Sequence, residues 1–302
     1  MEECLRTVRS LRKAFPQIPA LRDGERKAFG HFCLGVPEEL LHAAGLFPLR
    51  LKPARQKDAR ADRYLQPFAC TLARSYLEGA FRGEYDFLDG IILTCRCDSL
   101  RGVYSVWKER IPGIFLHRLS FPERADTEGA VAFLAEQYRD MKKVLENHLG
   151  REIGRDALLE SMELWEESRR LLREIDGLRS GEGIPVTGEV FYELLDGASL
   201  MDRDEYNDLL RKVRSAIQEG THRDEGDGAS GGVRLFLAGS YLPDPGMVKV
   251  LEAAGGIVVG DDLCSGSRYF QGPSVDDDDP LRALAKGALA RSPCPTLHEN
   301  RR

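Results

Sequence analysis

Residues 91–102, Ile91-Ile92-Leu93-Thr94-Cys95-Arg96-Cys97-Asp98-Ser99-Leu100-Arg101-Gly102, decide how the rest of the chain is read. Ile91–Thr94 is a short apolar, β-branched run and predicts a buried strand. Asp98 and Ser99 are good helix N-caps, and the stretch from Leu100 to Arg110 predicts a helix that Pro112 and Gly113 stop. Cys95 and Cys97 therefore stand where a strand ends and a helix begins. In α/β sheets that crevice is where ligands bind. Free N–H groups and the positive end of a helix dipole favour a thiolate, the form that binds metal. A strand-end cysteine is more commonly a small buried apolar residue than a ligand, and two in three residues at one turn weigh against that plainer reading.

Working outward, the same alternation recurs. Pro37 starts a short helix that Gly45 ends, and Leu46–Leu51 follows as a strand. Residues 52–66 form a polar, basic loop. Pro67 precedes a helix from about Phe68 to Phe81, with Ala69, Leu72, Ala73, Tyr76, Leu77, Ala80 and Phe81 at helical spacing. Cys70 falls in its first turn, the setting inferred for Cys97. Gly113–Arg118 is a further strand. Strands separated by helices imply a largely parallel sheet. Residues 1–30 are expected to be partly helical, with a solvated face.

From 130 to 218 the pattern is helical throughout, with amphipathic segments at 130–149, 156–178 and 203–218. Trp165 and Met162 are core anchors there, and His42 is a core or solvated histidine. A Gly-rich, acidic stretch at 220–232 reads as a connector. A second α/β unit begins at Val233. Arg234–Ala238 is a strand, Asp244 caps a helix to Ala254, and Ile257–Val259 is the next strand. Asp261-Asp262-Leu263-Cys264-Ser265-Gly266-Ser267-Arg268 follows, so Cys264 is another cysteine just past a strand's carboxyl end. Asp276–Asp279 with Pro280 starts a helix over Leu281–Ala290. An acidic run there suits the helix dipole and needs no metal. Two strands make a marginal sheet, so the second unit needs more chain or a partner.

The expected organisation is a first α/β domain over 1–125, a helical segment over 126–220, a flexible connector over 221–232 and a second, incomplete α/β unit over 233–302. The chain has 302 residues and a net charge of −6, from 43 basic and 49 acidic side chains. That balance offers no case for binding nucleic acid or an anionic membrane. No run approaches transmembrane length, and Met1–Arg12 mixes acids and bases without a long apolar stretch, so no signal peptide is expected. Seven cysteines at irregular spacing then suit a reducing cytoplasm better than a disulfide framework. There is no P-loop, so ATP hydrolysis is not expected on this chain, and no Ser–His–Asp pattern stands out.

Several segments together resemble the 2-hydroxyacyl-CoA dehydratase and benzoyl-CoA reductase subunit family. They are Val36-Pro37-Glu38-Glu39-Leu40 with Ala43-Ala44-Gly45, the Cys97-Asp98-Ser99-Leu100 turn, Leu171–Arg179, Ile184-Pro185-Val186-Thr187-Gly188-Glu189, Gly239-Ser240, the 261–268 loop and Asp279-Pro280-Leu281. The resemblance implies two flavodoxin-like (Rossmann-like) parallel-sheet units with a helical insert. It also implies a [4Fe–4S] cluster on three cysteines, a homologous second subunit, and an ATP-dependent iron–sulfur activator that delivers a low-potential electron. The reaction it implies is reduction of an acyl-CoA thioester to a ketyl radical that expels the hydroxyl group. By the resemblance, Cys70 and Cys97 are the first two ligands; Cys95 is an alternative to Cys97, because residues two apart on a strand face the same way. A distal family ligand has no counterpart here, and Cys264 is the substitute candidate. Cys294, between prolines, is a poorer one, and Cys4 is structural. The alternative reading is a truncated or accessory, non-catalytic subunit that binds a homologous partner chain.

Overall fold

Gly90–Cys95 forms a strand, β3, with every residue buried. The structure is a computed structural model that describes residues 1–14, 26–54, 60–180, 186–219, 232–272 and 275–291. β3 pairs in parallel with Ala28–His31 (β1) on one side and Phe115–Ser120 (β4) on the other, and Phe47–Arg50 (β2) pairs with β1. The order β2-β1-β3-β4 is that of a flavodoxin-like sheet. β1, β2 and β3 are buried along their whole length, as parallel strands covered on both faces must be.

β1 departs from the expectation of a partly helical residues 1–30. Glu2–Ala14 is indeed a helix (α1), but Ala28–His31 is a central strand. Its four residues include Gly30 and no β-branched side chain, so it carries no periodicity to read. Gly30 is needed there, because a Cβ would lie 2.7 Å from Leu88 Cδ1 and 2.9 Å from Leu51 Cδ1.

The helices of this sheet are Glu38–Ala43 (α2), Thr71–Phe81 (α3), Asp98–Arg110 (α4) and Glu128–Leu149 (α5). Two starts differ from the sequence reading, and both differences concern cysteines. α3 begins three residues later than expected, with Cys70 as its N-cap in extended backbone (φ −67°, ψ 155°). α4 begins directly after Cys97, which is the N-cap at φ −139°, ψ 164°, in place of Asp98 or Ser99. Both cysteines stand one step before their first turns.

The chain's contacts group into two units, one of Pro16–Ser161 with Pro273–Arg302, the other of Met1–Phe15 with Met162–Gly272. Pro280–Ala290 (α11) belongs to the first and packs against α5. Asp279 caps it as expected, accepting the Leu281 N–H at 3.0 Å. Its attachment includes ion pairs from Arg139 to Asp279 and from Arg282 to Glu128.

In the other unit, α1 packs on Gly188–Gly197 (α7), where Arg9 Nε donates to Glu193 at 2.9 Å. Arg155–Ser180 (α6), which belongs to this unit from Met162 onward, and Arg203–Gln218 (α8) complete the expected long helices. Trp165 is in the core, with the Arg203 guanidinium 4.0 Å over its ring. Val233–Ala238 (β5) and Gly256–Asp262 (β6) form the second parallel sheet, linked by Gly246–Ala253 (α9), and the short helix Ser267–Phe270 (α10) follows β6. Val233 and Phe236 of β5, and Met247 and Val250 of α9, are more than half exposed. Residues 220–231, which hold nearly all of the expected connector, and Ile184 and Pro185 lie outside the described residues.

Candidate metal centre and ligand crevice

The carboxyl edge of the first sheet carries Cys95, Arg96 and Cys97, with Cys70 on the neighbouring helix start. In the order β2-β1-β3-β4 the chain leaves β1 to one side and returns on the other, so the switch point lies between β1 and β3. Ligands of open α/β sheets sit outside that point. Cys95 closes β3, Arg96 follows, and Cys97 opens α4. Cys70 opens the neighbouring α3. Its sulfur accepts the Ala73 N–H at 3.5 Å, and its own N–H donates to Ser99 Oγ at 3.4 Å. Ser99 thus ties the two thiol-bearing helix starts together. Cys70 is exposed and Cys97 is half-buried.

Cys95 sits differently. It is buried, and that burial pushes its thiol up, against the opposing pull of Arg118 and Arg101. The thiol form is therefore favoured at neutral pH, which suits a core residue.

Residues beyond β1 border the same edge. His31 is buried with its Nε2 3.2 Å from Glu38 Oε1, and its Nδ1 lies 3.4 Å from the Cys33 carbonyl. Cys33 is half-buried. Gly35 has φ 101°, and a Cβ there would stand 2.4 Å from Phe121 Cζ. Tyr138 Oη donates to the Gly35 carbonyl at 2.7 Å. The Arg96 guanidinium lies 4.4 Å over the Phe121 ring. Sequence reading missed this cluster because its members come from β1, from helices α2 and α5 and from the stretches that follow β1, β3 and β4, and because β1 itself carried no signal. His42 bonds to Ser161 at 3.0 Å, and Ser161 in turn donates to the Glu39 carbonyl, which makes His42 structural.

Cys264 belongs to the other unit, in the turn after β6. Its N–H donates to the Ser240 carbonyl at 2.7 Å. Arg268 chelates Asp262 at 2.5 and 2.6 Å and directs Nη1 at the Cys264 sulfur, 3.7 Å away. Asp261 shapes the loop. Its Oδ1 accepts the N–H groups of Leu263 (3.1 Å) and Ser267 (2.7 Å), and its Oδ2 accepts from Arg179 at 2.6 Å. A Cβ at Gly266 would collide with Asp261 Oδ1 at 2.1 Å. Arg179 also bonds Asp176 at 2.6 Å and lies 4.2 Å over the Phe191 ring. Burial holds the Asp176 carboxyl above its ordinary range, opposed by Arg179.

Thiols at helix starts have the right chemistry for iron, which takes soft sulfur donors. Two of the candidates, Cys70 and Cys97, belong to one unit and Cys264 to the other. Among the described residues, no group of three His, Cys, Asp or Glu side chains is drawn close enough to hold a metal ion. Cys4 is half-buried in α1, and Cys294 lies outside the described residues. No helix among the described residues is long and apolar enough to cross a membrane.

Fold and site define a parallel α/β protein with cysteines at the carboxyl ends of its strands. The family model described as 2-hydroxyglutaryl-CoA dehydratase, D-component, matches residues 33–302, and the chain belongs to that family. A benzoyl-CoA reductase subunit from Thauera aromatica is 26% identical over 276 residues, covering 89% of this chain and 70% of that protein. The (R)-phenyllactyl-CoA dehydratase beta subunit of Clostridium sporogenes is 27% identical over 274 residues, or 91% and 72% of the two chains. The beta subunit of (R)-2-hydroxyglutaryl-CoA dehydratase from Acidaminococcus fermentans is 30% identical over 266 residues, or 86% and 68%. These relatives are named as subunits of dehydratases or of a reductase.

Proposed function

We propose that the chain is the iron–sulfur subunit of a 2-hydroxyacyl-CoA dehydratase or benzoyl-CoA reductase-like enzyme. The observation that carries this reading is the pair Cys70 and Cys97, each the N-cap of its helix and joined through Ser99. These two, with Cys264, would hold a [4Fe–4S] cluster. When bound, the cluster supplies single low-potential electrons for ketyl-radical chemistry on an acyl-CoA thioester. The chain's own part is ligation and orientation. The start of α3 presents the Ala73 N–H to the Cys70 sulfur, and both helix starts place a positive dipole end beside their thiols. Arg268 donates to the Cys264 sulfur while Asp262 fixes the guanidinium. Buried apolar strands below the sheet's carboxyl edge exclude water from its floor. The electron would come from an ATP-dependent iron–sulfur activator. A homologous second subunit would complete the enzyme, in keeping with the subunit names of the relatives.

Iron and acid-labile sulfide per chain test this, measured after anaerobic purification with an electron paramagnetic resonance spectrum of the reduced sample. About four irons per chain are expected, lost in Cys70→Ala, Cys97→Ala and Cys264→Ala. Absence of iron above background overturns the reading. A second reading, an accessory subunit without catalysis, draws on the exposed Val233 and Phe236 of β5 and Met247 and Val250 of α9. Turnover of an acyl-CoA by the cluster-loaded chain with an activator, and no partner chain present, would exclude it.

A further inference from the structure

Among the described residues, most buried or half-buried arginines are held by carboxylates or carbonyls. Arg179 bonds Asp176 and Asp261, Arg268 chelates Asp262, Arg139 pairs with Asp279, and Arg101 pairs with Asp98. Arg96 differs. It is the first residue beyond β3, at the switch point of the sheet. Its Nε is buried with no hydrogen-bond partner, and no ion pair among the described residues uses its guanidinium. The contact that fixes it is the ring of Phe121 at 4.4 Å. Phe121 is itself pinned against the left-handed Gly35, whose carbonyl Tyr138 holds.

This arrangement has a physical consequence. A guanidinium is charged at every accessible pH and carries five N–H donors in one plane. Stacking on a ring satisfies its face and leaves the buried Nε, in the guanidinium plane, without an acceptor. Partly buried donors without acceptors cost free energy. The cost persists unless an acceptor arrives from outside the chain, and the group best matched to that edge is a planar or tetrahedral oxyanion held by two parallel bonds.

We infer that Arg96 anchors an anion in the crevice at the β1–β3 switch point, namely a carboxylate or phosphate oxyanion of the acyl-CoA ligand. The identity of the ligand rests on the function proposed above, and the anion site itself rests on the geometry. Gly35 and Tyr138 hold the Phe121 platform in place, so Arg96 meets its anion already oriented, which lowers the entropy cost of binding.

Pyrophosphate is the first probe, titrated calorimetrically into the full chain and into R96Q, with Arg96→Met as the reserve variant should R96Q fold poorly. Wild type is expected to bind and both variants to bind at least about tenfold more weakly, the loss typical of a charged hydrogen-bond pair. Equal binding by wild type and variants, or no binding by wild type, overturns the site. The source of the anion is then read from CoA, 3′-dephospho-CoA and an acyl-CoA with a terminal carboxylate. A variant penalty that vanishes with 3′-dephospho-CoA assigns the 3′-phosphate, and one that persists assigns the diphosphate. A penalty confined to the carboxylate-tailed ester assigns the acyl group. Intact CoA-ester binding with no penalty in any arm overturns the inference. Pyrophosphate discrimination without binding of any CoA ester upholds the anion site and overturns the acyl-CoA reading.

Discussion

At the scale of single residues, Asp261 shows how one buried carboxylate can set a loop. It caps two N–H groups of the turn that carries Cys264 and neutralises Arg179, whose side chain is wholly buried. Removing one partner of such a pair leaves an uncompensated charge, so Asp261→Ala is expected to cost about 3–5 kcal/mol in denaturant unfolding. Surface pairs behave otherwise. The hydrogen bond from Arg214, with the charge of Arg170, holds the Glu174 carboxyl below its ordinary value of 4.5, against slight desolvation. A depressed folded value stabilises above the unfolded value and is lost as pH falls through the folded one. The stability gap between wild type and Glu174→Gln is therefore constant above about pH 6 and closes below about pH 4. It stays under about 1 kcal/mol, because the carboxylate is partly exposed.

At the scale of elements, helix starts govern where the thiols lie. Thr127 Oγ1 accepts the Ala130 N–H at 3.1 Å at the head of α5, and Thr127→Ala is expected to lose about 1 kcal/mol in thermal unfolding. The Thr127 cap was not read in the sequence, whereas Asp279 ahead of Pro280 was, because that pair acts through its nearest neighbours. The Asp279–Pro280 start and the long amphipathic helices followed from that, as did the strand before Cys95. The cysteines' neighbourhood was readable to within a few residues for the same reason, since a strand end and a helix start are local events. What escaped reading joins distant segments. β1 is held by its neighbours on both sides and by a missing Cβ. His31 meets Glu38 only once that strand exists. Arg96 reaches Phe121 across two strand ends, and Arg179 finds Asp261 at a separation of 82 residues. No spacing rule within one segment reports such pairs.

At the scale of the whole molecule, the two sheets are covered to different degrees. β3 is buried throughout, whereas β5 alternates between exposed and half-buried positions. Substitutions should separate accordingly within the second sheet. Val258 of β6 is fully buried and Phe236 of β5 is 65% exposed. Val258→Ala is expected to cost about 1–3 kcal/mol by denaturant unfolding, while Phe236→Ala stays within about 0.5 kcal/mol despite removing the larger side chain. A loss at Phe236 that matches or exceeds the loss at Val258 would mean that the β5 face is covered in solution.

The seating of α11 on α5 also sets a timetable. The Arg139–Asp279 contact spans 140 residues, and the Arg9–Glu193 contact of the other unit spans 184. Each unit draws on an early and a late stretch of chain, so neither can close its core in the order in which the ribosome delivers it. The sheet of β1 to β4 can pair early in synthesis, but the α5 surface it carries stays bare until Pro280–Ala290 emerges. That surface stays uncovered from the completion of α5 at Leu149 until Pro280–Ala290 is made, which is the period when chaperones find their clients.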